Sequence, residues 1–215
     1  MSDCGCHATA ANEAERRTLR IALSLNAAMF VVGAIAGLVA QSMGLLADSL
    51  DMLADTCAYV IGLVAWRGSA HVKASAAQFS GTLLLLLGLG TLLGVGWRVA
   101  TGSEPEGYWM IGIAFIALIV NSTVLRLLGR FRQGEVHLRA AWLFTRVDVL
   151  ANLAVIVSGV LVLLLRSPVP DWIIGAAIAG YVIKEALEIL REARNAKAAA
   201  NALRSKPDAI HIDQI

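Results

Sequence analysis

The chain has 215 residues, of which 58% are hydrophobic and only 16% are charged, with a formal net charge of +2. A soluble domain is about half apolar and about a quarter charged, so this composition indicates a membrane protein. The near-neutral charge, with no basic stripe interleaved with aromatic residues, excludes a nucleic-acid-binding protein as the working hypothesis. The polar start, MSDCGCHATAANEAERRTLR, does not have the pattern of a secretory signal.

Apolar segments follow one another along the chain, and each is long enough to cross about 30 Å of hydrocarbon. Short polar breaks separate them, namely AQS, RGSAHVKAS, TGSEPEG, RFRQGEVHLR and RSPVPD. The apolar segments cover residues 18–40, 44–66, 76–98, 108–130, 141–165 and 170–190. The sequence therefore predicts an all-α membrane protein, built as a bundle of six transmembrane helices.

The predicted spans divide the chain into three parts. Residues 1–17 form a cytoplasmic N-terminal arm, residues 18–195 form the six-helix membrane domain, and residues 196–215 form a short cytoplasmic tail. Most Lys and Arg residues lie on the side of the membrane that holds the termini, whereas Arg98 and Arg166 lie on the other side. The positive-inside rule then predicts a multi-pass protein of the cytoplasmic (inner) membrane, with both termini in the cytoplasm.

The second span contains LLADSLDMLADT, a run with three aspartates where a membrane helix should be apolar. Asp48, Asp51 and Asp55 share one helical face, because residues three and four apart are neighbours on a helix. A charged side chain at the centre of a bilayer costs about 3 kcal/mol on insertion scales. The stripe must therefore face the interior of the bundle, water or a cation.

The fifth span, in WLFTRVDVLANLAV, repeats polar residues at a spacing of four, with Phe144, Asp148 and Asn152 on one face. Spans two and five run in opposite directions, so Asp148 is predicted near the depth of Asp55, and Asn152 near that of Asp51. Three carboxylates and an amide that converge in this way can bind a divalent metal through oxygen. Buried protonated acids that hydrogen-bond to their neighbours are the alternative.

The run GLLADSLDMLADT resembles the second-helix signature of the cation diffusion facilitator transporters, and TRVDVLANLAVI resembles their fifth-helix signature. The six-span layout is similar as well, so the resemblance covers roughly residues 15–195. It implies a homodimeric exporter that exchanges cytoplasmic metal for protons. It places the transport ligands at Asp51, Asp55 and Asp148, with Zn²⁺ or Cd²⁺ as the expected substrate and no prosthetic group.

The chain departs from the family pattern at Phe144, where the family usually has His or another ligand four residues before the fifth-helix Asp. The fourth donor must then come from elsewhere: Asn152 is the best candidate, Asn26 in span one is second, and water is third. Without an imidazole the site is harder, which leaves Fe²⁺ and Mn²⁺ open beside Zn²⁺ and Cd²⁺.

A second departure is the tail. Most members of the family continue after span six into a cytoplasmic domain with a ferredoxin-like fold. Here the sequence after that span, REARNAKAAANALRSKPDAIHIDQI, is too short for a packed domain. The resemblance is therefore to a short form of the family that lacks the C-terminal domain.

Other side chains are weaker metal candidates. Cys4, Cys6 and His7, in CGCH, are compact enough to collect a soft ion, although a disordered tail is the alternative. Asp48 lies nearer the outer end of its span, where it is a candidate for coordination, for lining the exit or for capping the helix.

Two other classes of function stay open. A non-transporting metal-sensing or scaffold membrane protein would use the same ligands without coupled flux. An intramembrane aspartyl protease would use paired carboxylates, but the Gly-x-Gly-Asp run of such enzymes is absent from the sequence. The sequence has no phosphate-binding loop of the Walker A type either, so we predict a transporter and not an enzyme.

The missing histidine gives a first prediction. Phe144→His should add a nitrogen donor to the site and shift its preference toward Zn²⁺, because imidazole suits Zn²⁺ better than an amide oxygen does. Mutation of residues that hydrogen-bond to metal ligands typically changes metal affinity by about 10- to 100-fold, and we expect a change in metal preference of the same size here. Competition transport with mixed metals measures it, and an unchanged metal preference in an inserted variant would remove position 144 from the site.

Overall fold

The computed structural model describes the backbone of residues 4–65, 70–130 and 136–204. Within those ranges every regular element is an α-helix, which confirms the prediction of an all-α membrane protein. The helices are α1 (Cys4–Val39), α2 (Met43–Ala65), α3 (Ala70–Thr101), α4 (Gly107–Gly129), α5 (Val136–Leu165) and α6 (Val169–Arg204).

Among the described residues, four helical stretches are long and apolar enough to cross a membrane, judged by length and composition. They are Glu13–Val39, Ala74–Thr101, Gly107–Gly129 and Thr145–Leu165. Their surfaces carry large exposed apolar side chains such as Leu93, Phe115 and Leu164, which suit contact with lipid tails. α2 and α6 carry more charged residues, so composition alone does not single them out.

α2 occupies the centre of the bundle and contacts each of the other helices. Between Ser42 and Asp55 only Leu46 and Leu53 are partly exposed, and every other side chain is buried. A helix that is buried all round belongs to the core and not to the surface. The three aspartates of α2 are therefore kept away from lipid by the helices that surround it.

Small residues let the neighbours of α2 approach closely. A Cβ atom added at Gly37 of α1 would lie 2.8 Å from the backbone nitrogen of Leu46, and one at Gly175 of α6 would lie 2.7 Å from the carbonyl carbon of Met43. Gly33 of α1 faces Ser49. Because Gly33 meets Ser49 while Gly37 meets Leu46, α1 and α2 run antiparallel.

The turns at residues 40–42, 102–106 and 166–168 lie at one end of the bundle, which we call the capped end. Gln41, Gly102 and Arg166 have φ values of 52°, 84° and 48°, so a left-handed residue follows the ends of α1, α3 and α5. The turns at residues 40–42 and 102–106 are held together by two hydrogen bonds. Arg98, in the last turn of α3, donates one to the carbonyl of Gln41. The backbone N–H of Glu106 also donates to the carbonyl of Ala40 at 3.0 Å.

Asp171 of α6 caps the N-terminus of α2 at this end. Its carboxylate accepts hydrogen bonds from the Ser42 hydroxyl at 2.6 Å and from the backbone N–H groups of Met43 at 2.7 Å and Gly44 at 2.9 Å. The first N–H groups of a helix have no partner within the helix, so an acceptor there stabilises it. Here the acceptor is a buried side chain from another helix, which ties α6 to α2.

We predict that Asp171→Ala lowers the thermal stability of the protein in detergent, by a loss of about 2 kcal/mol or more. The substitution leaves two backbone N–H groups and a hydroxyl buried without this acceptor. Glu104→Ala is the matched control, because Glu104 lies exposed in a turn at the same end. Equal melting temperatures for the two variants would contradict the capping role.

Candidate metal site

The stripe of aspartates on α2 faces the interior of the bundle. Asp48, Asp51 and Asp55 are 4%, 3% and 7% exposed. The spacing of three and four residues places them on one face of the helix, and that face points away from lipid. The helix therefore presents three carboxylates to the neighbouring helices along about two turns.

α5 faces this stripe with Asp148, which is also buried. Asp148 lies close enough to Asp51 and Asp55 for the three carboxyl groups to act on one another electrostatically. Two contacts set the antiparallel register of α5 on α2: Asp48 meets Asn152, and Tyr59 meets Thr145. Asp148, halfway between the two α5 residues, then falls opposite the Asp51–Asp55 pair.

Two carboxylate oxygens in this group have no hydrogen-bond partner among the described residues. They are Oδ2 of Asp51 and Oδ2 of Asp148, and both are buried. Buried polar atoms are nearly always hydrogen-bonded, because leaving one without a partner costs the full desolvation of the group. Among the described residues, no three His, Cys, Asp or Glu side chains are gathered closely enough to hold a metal ion as they stand. A cation held here would have to draw the carboxylates together.

Tyr59 holds one member of the group in place. Its hydroxyl donates to Oδ2 of Asp55 at 2.9 Å and lies 3.2 Å from Oγ1 of Thr145. Both Tyr59 and Thr145 are buried. Tyr59 was not among the residues predicted from the sequence, although a tyrosine four residues after a buried aspartate is a signal for such a bond.

Asp48 and Asn152 form a separate hydrogen-bonded chain with Asn121 of α4. The Asn152 amide donates to both oxygens of Asp48, at 2.7 and 2.9 Å, and its carbonyl accepts from the Asn121 amide at 3.0 Å. Asn152 thus lies beside Asp48, and not at the depth of Asp51 as predicted from the sequence. Its role as a metal ligand stays a prediction, and its carbonyl oxygen already accepts a hydrogen bond from Asn121.

Asn26, the second candidate for a fourth donor, lies in a polar layer between two apolar clusters. Its amide donates to the carbonyl of Ala22 at 3.0 Å, while its own carbonyl oxygen is buried without a partner. The clusters consist of Leu19, Ala22, Tyr59, Val124 and Leu128 on one side, and Met29, Met52 and Ala117 on the other. On α1, α2 and α4 the buried polar residues between the clusters are Asn26, Asp55 and Asn121.

α6 adds a further carboxylate near the site. Glu185 is half-buried and lies within electrostatic range of Asp51 and Asp55, and it accepts a hydrogen bond from the Tyr181 hydroxyl at 2.8 Å. Neither residue was among the candidates predicted from the sequence. Their order in the sequence gives no signal, because only the packing of α6 against α2 brings them to this depth.

The remaining candidates lie outside the described side chains. Cys4, Cys6 and His7 fall in the first turns of α1, and Phe144 falls within α5, but only their backbone is described. The proposals that rest on these four side chains therefore stay predictions.

Comparison with known proteins gives a family match over most of the chain. The model of the cation efflux transmembrane domain matches residues 19–196. The metal cation efflux system protein CzcD of Cupriavidus metallidurans is 23% identical over 158 residues, which are 68% of this chain and 50% of that protein. The cation efflux system protein CzcD of Alcaligenes sp. gives the same figures. The chain spans about half the length of the curated relatives it matches.

The Asp48 chain gives a prediction about stability. Asn152→Leu should lower the melting temperature in detergent by the equivalent of about 1–3 kcal/mol, because it leaves Asp48 buried without its donor. Asn121→Leu is the control, since it keeps both bonds to Asp48 and should cost less. A smaller loss for Asn152→Leu than for Asn121→Leu would show that Asp48 does not depend on this amide.

Proposed function

The chain belongs to the cation efflux family, and we propose that it is a proton-coupled antiporter that exports divalent transition-metal cations from the cytoplasm. Zn²⁺ and Cd²⁺ are the first expected substrates, with Fe²⁺ and Mn²⁺ next. One observation carries the proposal: three buried aspartates from two helices face one another, and two of their oxygens have no partner among the described residues.

Charge explains why such a group suits a divalent cation. Asp51, Asp55 and Asp148 offer anionic oxygens that offset the hydration a cation loses when it enters the bundle. The cation in turn offsets the cost of burying carboxylates away from water. Oxygen donors accept Zn²⁺, Cd²⁺, Fe²⁺ and Mn²⁺, so metal preference depends on the remaining donors and on the geometry.

The same group explains the coupling to protons. Carboxylates in contact repel one another, so the group is stable only when a cation or protons neutralise part of its charge. Metal that arrives from the cytoplasm displaces the protons, and protons from the other side displace the metal. Alternation between two packings of the helices then exposes the site to one side at a time.

Orientation follows from the distribution of basic residues. We place both termini in the cytoplasm and the capped end on the outer side of the inner membrane. Asp48 then lies on the outer side of the Asp51–Asp55 pair. This is the side on which the metal leaves. The family resemblance also implies a homodimer in the lipid bilayer, and we adopt that arrangement as part of the proposal.

The fourth donor is the open part of the site. Zn²⁺ in proteins is commonly four-coordinate, and three carboxylates leave one position for another group. For Asn152 to serve, its carbonyl oxygen would have to leave the Asn121 amide that it now accepts from. The carbonyl oxygen of Asn26 is free of partners and needs no such exchange.

We predict that Asp51→Ala, Asp55→Ala and Asp148→Ala each abolish metal flux in proteoliposomes with a pH gradient. Each variant removes anionic oxygens from a site that has only a few of them. Glu104→Ala, which changes an exposed carboxylate at the capped end, should transport like the wild type. Near-wild-type flux in a correctly inserted Asp55→Ala protein would refute the site assignment, and absence of flux in the wild type would favour a sensor.

A further inference from the structure

The register of α6 on α2 brings two polar residues to the depth of the aspartate pair. The helices start side by side: Asp171 caps residues 42–44, and Gly175 lies against Met43. They then run in the same direction. Counting along both helices from these contacts, Tyr181 falls at the level of Asp51, and Glu185 falls at the level of Asp55.

Glu185 also lies on the inner face of α6. Ile178 and Val182 belong to the main apolar core, and Glu185 follows them at the spacing of one helical face. The face that packs on α3 is a different one, because Gly88 of α3 contacts Ile183 and Gly81 contacts Leu190. The Glu185 side chain therefore extends from the core face and not from the α3 interface.

Electrostatic proximity agrees with this placement. Glu185 interacts with the charges of Asp51 and Asp55, and Tyr181 interacts with those of Asp51 and Asp148. The Tyr181 hydroxyl donates to Oε1 of Glu185 at 2.8 Å. The buried, partnerless Oδ2 atoms of Asp51 and Asp148 belong to the same group.

We propose that Glu185 is an additional carboxylate ligand for the transported cation, contributed by α6 at the level of the Asp51–Asp55 pair. The inference rests on the proposed function, because it assumes that Asp51, Asp55 and Asp148 hold the metal. It supplies an anionic oxygen in a chain whose Phe144 has no donor atom in its side chain. The Tyr181 hydroxyl positions the free carboxylate on the core face until the cation draws it in.

The additional carboxylate should affect which metals the site prefers. A fourth carboxylate makes the ligand set entirely oxygen and adds negative charge, and ligand charge is one factor that sets affinity for hard divalent cations. Loss of this carboxylate should weaken Mn²⁺ more than Cd²⁺, because softer metals depend less on hard anionic oxygen.

The test is equilibrium binding of Cd²⁺ and Mn²⁺ to the purified full chain in detergent, measured by titration calorimetry. Glu185→Gln should weaken Mn²⁺ binding by about tenfold or more, with a smaller loss for Cd²⁺. Glu185→Asp, which keeps the charge on a shorter stem, should fall between Glu185→Gln and the wild type. Melting temperatures of the metal-free variants separate a binding loss from a folding loss.

Glu188→Gln is the matched control, one turn further along α6. Glu188 is exposed and pairs with Lys184 at 3.6 Å, so the same chemical change there should affect binding much less than Glu185→Gln does. Wild-type binding by both Glu185 variants would overturn the inference. If Asp55→Ala still abolishes binding in that case, the proposed function stands and only the role of Glu185 fails. If Asp55→Ala also binds normally, the aspartate site itself is wrong.

Discussion

The cost of a carboxylate in hydrocarbon is the constraint on which the rest of the structure depends. A chain with three aspartates on one helix can enter a membrane only if the remaining helices enclose that helix. α2 accordingly lies at the centre and contacts each of the other helices. Close packing at Gly37 and Gly175 lets its neighbours cover it. The apolar surfaces of α1, α3, α4 and α5 then supply the side chains that face lipid.

The buried aspartates of the bundle differ in their hydrogen bonding. Asp48 and Asp171 accept from donors outside their own helices, so each joins two helices as a structural element. Asp51 and Asp148 each keep an oxygen without a partner among the described residues, although both are buried as well. Under the proposed function, these two oxygens are the ones available to a cation.

The sequence predicted the helices and the meeting of α2 with Asp148, and both follow from simple rules. Apolar length locates a span, and antiparallel counting of residues matches depths across two helices. The first and last helices are longer than their apolar segments, since α1 begins at Cys4 and α6 ends at Arg204. Hydropathy detects only the part that lies in hydrocarbon, so it does not show where a helix continues into the polar region.

Contacts that depend on the lateral order of the helices could not be predicted. The bond between Asn152 and Asp48, the cap from Asp171 and the approach of Glu185 each require knowledge of which helices are neighbours and how far each is rotated. A single sequence indicates how deep a residue lies in the membrane, but not which helices are neighbours or how far each helix is rotated. Tyr59 is different, because its bond to Asp55 lies within one helix at a spacing of four, and the helical period alone indicates it.

The cap on α2 also affects the electrostatic path of a cation through the bundle. The aligned peptide dipoles of a helix place about half a positive charge at its N-terminus and about half a negative charge at its C-terminus. In the proposed orientation, α2 turns its negative pole toward the cytoplasm, where it attracts an incoming cation. Its positive pole would oppose departure on the outer side, but the buried carboxylate of Asp171 lies against that pole and offsets it. Asp171, which holds α6 against α2, would thereby also lower the electrostatic barrier to a cation that leaves on the outer side.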